Sequence, residues 1–149
     1  MGNRGGGCPR KFYWTQVAKI KKLLDRYVKE STQNVDLSKY LALCEQLGQE
    51  PDPDKMPLEA SAFPYEVQVA FFVFDLLPDK WDGMSGMYLG KDWSSANFLI
   101  KTYNIEDVPI VVYFAKLYEN ILVSQRSEEL ARKQKQQQQQ ARNKAKLGG

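Results

Sequence analysis

Residues 67–77 (VQVAFFVFDLL) are apolar on almost every side of a helical wheel, and this run constrains the fold more than any other feature. Val67, Ala70, Phe71, Phe74 and Leu77 supply one face at helical spacing. Val69, Phe72, Val73 and Leu76 cover much of the remainder. Such a helix needs neighbours that bury it on more than one side. A Val- and Phe-rich strand over 67–74 is the rival reading. The run, interrupted by Gln68 and Asp75, is long for a strand, so a helix is preferred. Pro64 suits its start and Pro78 ends it.

The rest of the chain supplies candidate neighbours. Over 10–30, Phe12, Tyr13, Val17, Ile20, Leu24, Tyr27 and Val28 recur at spacings of three and four, which predicts a first helix. Lys19, Lys22, Arg26 and Lys29 fall mainly on its other side. A second helix is expected over 37–47, with Asp36 as N-cap, Gly48 as C-cap and Leu37, Tyr40, Leu41, Cys44 and Leu47 on one stripe. Pro51, Pro53 and Pro57 make 49–57 a loop. Residues 79–90 (DKWDGMSGMYLG) read as an irregular loop anchored by Trp81 and Tyr88. Asp92 is a plausible cap for a fourth helix near 93–103, with Trp93, Ala96, Leu99, Ile100 and Tyr103 inward. Residues 104–107 turn the chain. Pro109 then sits in the first turn of a fifth helix carrying Ile110, Val111, Phe114, Leu117, Tyr118, Ile121 and Leu122.

The apolar pattern stops at Ser124. The fifth helix is expected to run on into the tail, where residues 126–147 contain good helix formers and almost nothing to bury, so frayed helix or disorder is expected there. Residues 1–9 form a Gly-rich arm that nothing apolar holds down. The expected architecture is all-α: about five helices in a compact bundle, the third wrapped by the first, second, fourth and fifth. The organisation is a flexible arm (1–9), one helical domain (10–125) and a basic Gln-rich tail (126–149).

Charge divides the chain in the same manner. Residues 1–33 carry eight Lys/Arg against two Asp/Glu, residues 34–120 six against fourteen, and residues 121–149 seven against two. Basic ends around an acidic, aromatic-rich middle point to a body that binds something and ends that are solvated or seek a polyanion.

Several chemistries are poorly served. The sequence has no histidine, which removes His-based general-base catalysis, Ser–His–Asp triads and the usual zinc ligand sets. Cys8 and Cys44 are the only cysteines. A single bridge between them stays open, but a disulfide framework is not indicated and a reducing, intracellular setting is expected. No apolar run reaches the roughly 18–20 residues of a membrane span, and no secretory leader is visible. Met1-Gly2 invites myristoylation, but Gly6 stands where Ser or Thr is needed. Gly86 to Asp92 (GMYLGKD) glances at a phosphate loop, yet its glycines are one residue too close and Asp92 replaces the magnesium-binding hydroxyl. Asp52 and Asp54 lack EF-hand spacing. No carboxylate pair stands out as acid and base. The reading is therefore no enzyme, no cofactor and no metal.

Two interaction surfaces remain. The first is an aromatic and methionine-rich loop, Trp81, Met84, Met87, Tyr88 and Trp93, of the composition that dominates protein-binding hot spots. The alternative is a nucleic-acid site made from Lys19, Lys21, Lys22 and Arg26 of the first helix with Arg132, Lys133 and Lys135 of the tail. Against it, basic and aromatic residues are not interleaved as in recognition modules.

Three stretches, LCEQLGQEPDPDKMP (43–57), FPYEVQVAFFVFDLLPDKWDGMSGMYLGKDWS (63–94) and YNIEDVPIVVYF (103–114), together with the Lys/Gln-rich ending, resemble small accessory proteins encoded by tailed bacteriophages. The resemblance covers about 10–133 and implies no active site. It implies a non-enzymatic virion-assembly or structural accessory protein, with tail or baseplate assembly among its roles. Such a protein works in the host cytoplasm or the virion and binds another phage structural protein, with no membrane involved.

Overall fold

The computed structural model describes residues 10–148, with side chains from Thr15 onward. The predicted arm over 1–9 and the side chains of Phe12 and Tyr13 lie outside the described residues. The elements are α1 (Arg10–Thr32), α2 (Leu37–Leu47), a short 3-10 turn (Ala60–Ala62), α3 (Tyr65–Leu76), β1 (Asp79–Trp81), β2 (Tyr88–Lys91), α4 (Ala96–Thr102) and α5 (Val108–Leu147). The fold is mostly helical, but the expectation of an all-α chain is corrected by the antiparallel pair β1–β2. The chain divides into two units between Phe63 and Pro64, in the middle of the predicted 10–125 domain.

The first unit is built on α1 and α2. Ile20, Leu24 and Val28, four residues apart, are the buried stripe of α1. The helix α2 has the predicted bounds and caps. The Asp36 carboxylate accepts from the Lys39 backbone N–H at 2.8 Å. At the other end Gly48, with φ of 63°, donates to Glu45 O, and Gln49 donates to Cys44 O. This left-handed cap costs glycine little. The predicted inward stripe of α2 needs correction: Cys44 is buried, but Leu41 and Leu47 are exposed.

The Pro-rich loop after α2 is tied down by polar bonds. Arg26 Nε donates to Glu30 Oε1 and its Nη2 to Met56 O, both at 2.6 Å. Glu30 Oε2 accepts from the Leu58 N–H at 2.7 Å. Tyr40 Oη accepts from the Asp52 N–H at 3.1 Å. The Tyr27 and Phe63 rings meet edge-on at 5.4 Å.

The second unit packs α3 and β2 on α5, with α4 against α3. Val67, Ala70, Phe71, Val73 and Phe74 are buried. Tyr118 of α5 lies edge-on to Phe71 at 4.9 Å and to Phe74 at 4.8 Å. The third helix is not enclosed all round, as its composition predicted. Phe72 and Leu76 are exposed, and the Phe72 ring lies edge-on to the half-open ring of Tyr103 at 5.0 Å. The fourth helix is shorter than expected. Asp92 does not cap it; its carboxylate instead accepts from the Ser94 N–H and hydroxyl, and the helix begins after Ser95.

Pro109 lies in the first turn of α5, after Asn104 and Asp107 have turned the chain with positive φ. The fifth helix runs on into the tail as expected, but as continuous helix and not as a frayed or disordered segment: α5 runs 40 residues to Leu147. Gln, Lys, Arg and Ala have high intrinsic helix propensity, and a packed N-terminal half supplies the nucleus that an isolated peptide lacks. Among the described residues, no helix is long and apolar enough to cross a membrane.

Candidate functional site

The segment read as an irregular loop is a built β-hairpin. Asp79 pairs with Lys91, Lys80 with Gly90 and Trp81 with Tyr88, so Leu89 is an extra residue in the second strand. That bulge leaves Leu89 outward and aims Tyr88 and Gly90 inward. The turn is internally bonded. Asp82 accepts from the Met84 N–H and the Ser85 hydroxyl, its own N–H donates to Met87 O at 2.8 Å, and Gly86 takes φ of 68°. The serine hydroxyl, then the Met84 N–H, hold the Asp82 carboxyl below the usual carboxylate range.

One buried carboxylate fastens the hairpin to α5. Glu119 Oε2 accepts from the Trp93 indole N–H at 2.7 Å and the Lys91 backbone N–H at 3.0 Å. Its Oε1 faces Lys116 Nζ at 3.3 Å, and that ammonium also sits 4.2 Å from the Trp93 ring centre. Gly90 lets this happen. A Cβ at Gly90 would stand 2.9 Å from Glu119 Cδ, and the φ of +99° disfavours any side chain. A carboxylate taken from water needs such a set of donors.

A second fastening surrounds Asp79. It accepts from Tyr88 Oη at 3.0 Å and pairs with Lys91 Nζ at 2.9 Å. Burial alone would raise the Asp79 carboxyl. The hydrogen bonds from Lys91 and Tyr88 and the charges of Lys91 and Arg126 outweigh it and hold the group low. Burial and the neighbouring Asp79 push the Tyr88 phenol well up. Arg126 of α5 caps the arrangement, its guanidinium 4.3 Å from the Tyr88 ring centre and 5.5 Å from that of Trp81.

The predicted partner residues therefore separate into two sets. Tyr88, 2% exposed, and Trp93 face inward and attach the hairpin. Trp81 (54% exposed), Met84 (100%) and Met87 remain on the surface. Leu89, 51% exposed, joins them, and sequence reasoning missed it because a bulge in a short strand has no periodic signature. Glu119 was also missed; in sequence it is one acid among many. The glycine-containing turn between Trp81 and Tyr88, in which Gly86 takes the left-handed conformation, was the available signal for the hairpin.

The basic residues are likewise unequal. Lys19, Lys21 and Lys22 are exposed on α1, but Arg26 is committed to Glu30 and Met56. Arg132, Lys133 and Lys135 are exposed on α5, where Lys133 pairs with Glu129 at 2.9 Å.

No protein-family model, curated protein or solved structure matches this chain.

Proposed function

We propose that this protein is a non-enzymatic assembly or structural accessory protein that acts by binding a protein partner through the β1–β2 hairpin. One observation carries the reading. A hairpin fixed to α5 by Glu119, Tyr88 and Arg126 holds Trp81, Met84, Met87 and Leu89 out in solvent. A pre-ordered backbone support removes the loop-ordering part of the entropy cost of binding, which favours hot-spot use of the aromatic Trp81 above all. The resemblance to accessory proteins of tailed bacteriophages supports a virion-assembly context in the host cytoplasm, with another phage structural protein as partner.

The test is affinity capture of co-expressed virion proteins at high salt, comparing the full chain with the double variant Trp81→Ala/Met84→Ala. Both side chains are exposed, so circular dichroism should show an unchanged fold. A discrete virion protein held by the parent and lost by the variant supports the proposal. Equal capture by both, or recovery of nucleic acid alone, overturns it.

A further inference from the structure

The continuous helix α5 sorts its terminal cations by side. Residues 131–148 are all exposed, so this half of the helix is available along its whole length. No Asp or Glu follows Glu129, while Arg132, Lys133, Lys135, Arg142, Lys144 and Lys146 do. At 3.6 residues per turn, Arg132, Lys135, Arg142 and Lys146 fall within an arc of about 80°, and span about 21 Å of axis. Gln139 fills the gap in the same stripe. Lys133 and Lys144 lie on the opposite side, and Lys133 is paired with Glu129.

From this we propose that the C-terminal half of α5 is a binding site for the phosphate backbone of duplex nucleic acid, engaged through Arg132, Lys135, Arg142 and Lys146. A single helix fits a duplex groove, and a one-sided row of cations can neutralise several phosphates along one wall at once. Nothing in the row favours one base over another: the long flexible cations and Gln139 serve backbone contact, which is independent of sequence. An anionic bilayer is a poorer match. A helix that lies on a membrane opposes its cations with an apolar face, whereas the arc opposite this row carries Gln137, Gln140, Ala141, Lys133 and Lys144. The basic face of α1 is a poorer candidate for the same ligand, because Arg26 is already held by Glu30 and Met56 and Asp25 interrupts the helix surface.

The experiment is fluorescence anisotropy of the full-length protein with a labelled 20-base-pair duplex of arbitrary sequence, titrated between about 50 and 200 mM salt, conditions over which phosphate contacts weaken steeply. Four contacts predict a slope of log affinity against log salt of about −3.6. Two variants distinguish the row from mere net charge. Arg132→Gln/Lys135→Gln/Arg142→Gln/Lys146→Gln removes it and should lower affinity at least tenfold at the low-salt end, since electrostatic contacts dominate there. Gln134→Lys/Gln138→Arg/Arg142→Gln/Lys146→Gln keeps the net charge but spreads the cations round the helix; its slope should fall to about −2. Gln is a good helix former, and ellipticity at 222 nm should confirm that α5 persists. A second duplex of unrelated sequence should bind equally. Absence of salt-dependent duplex binding, a charge-conserving variant indistinguishable from the parent, or binding to phosphatidylserine vesicles in place of the duplex would each overturn the proposal.

Discussion

Glu119 is a single buried acid that three donors from β2, the residue after next, and its own helix satisfy together. Glu119→Ala leaves the Lys91 and Trp93 N–H groups without their acceptor, at roughly 1–3 kcal/mol each. The expected result is about 3 kcal/mol lower stability by urea unfolding, with Trp93 fluorescence shifted to the red as the indole meets water. A shift below about 0.5 kcal/mol, typical of a neutral surface substitution, would show that the carboxylate does not hold the hairpin. Gly90→Ala tests the same attachment from the opposite side. It places a methyl group against Glu119 and adds a side chain at φ of +99°, so about 1–3 kcal/mol of strain is expected. A crystal structure of the variant should show β2 displaced from α5.

At the level of elements, α2 and α5 make contrasting cases. The helix α2 is short and largely exposed, so its caps weigh heavily in its stability. Asp36→Ala should reduce helix content and hydrogen-exchange protection over 37–47 and leave α3 and α5 unchanged. Protection that stays constant over α2 would contradict the capping argument. For α5, the half beyond Leu130 has only exposed residues. Deleting 131–149 should therefore shift the thermal midpoint by less than about 3 °C, in keeping with surface residues that bury nothing. It should nonetheless remove a clear share of the 222 nm signal. A large drop in midpoint would mean that the tail is packed.

For the whole molecule, charge decides two behaviours. Deleting the six cations beyond Glu129 turns the net charge from +3 to −3, so one truncation should both abolish duplex binding and reverse electrophoretic migration near neutral pH. Acid stability follows from carboxylates held low in the fold. Hydrogen bonds from Ser38 and the Lys39 N–H lower Asp36 to about 2, and Asp79, Asp82 and Asp92 are lowered as well. A depressed folded-state value stabilises the protein fully above the ordinary carboxylate range. The contribution fades as pH falls from about 4 toward 2 and these groups take up protons. Urea midpoints should be flat between about pH 5 and 7 and drop below about pH 4. A midpoint rising on acidification would contradict the assignment.

Local chemistry was enough for the helices α1, α2, α3 and the apolar first half of α5, because apolar spacing, Asp36, Gly48, Pro64 and Pro109 act within one or two turns of the chain. That Trp81, Met84 and Met87 put large apolar side chains into a turn-rich segment was legible for the same reason, and the structure leaves all three exposed. Only tertiary structure decided which aromatics face inward. Tyr88 is held by Asp79 across the hairpin and by Arg126 of α5, and Trp93 by Glu119 of α5, residues distant from them in sequence. The hairpin itself depends on that support, since strands of three and four residues have too few ladder bonds to stand alone. The same holds for the basic tail. Its composition was plain from the sequence, but a row of four cations exists only once the packed half of α5 has carried the helix through to Leu147.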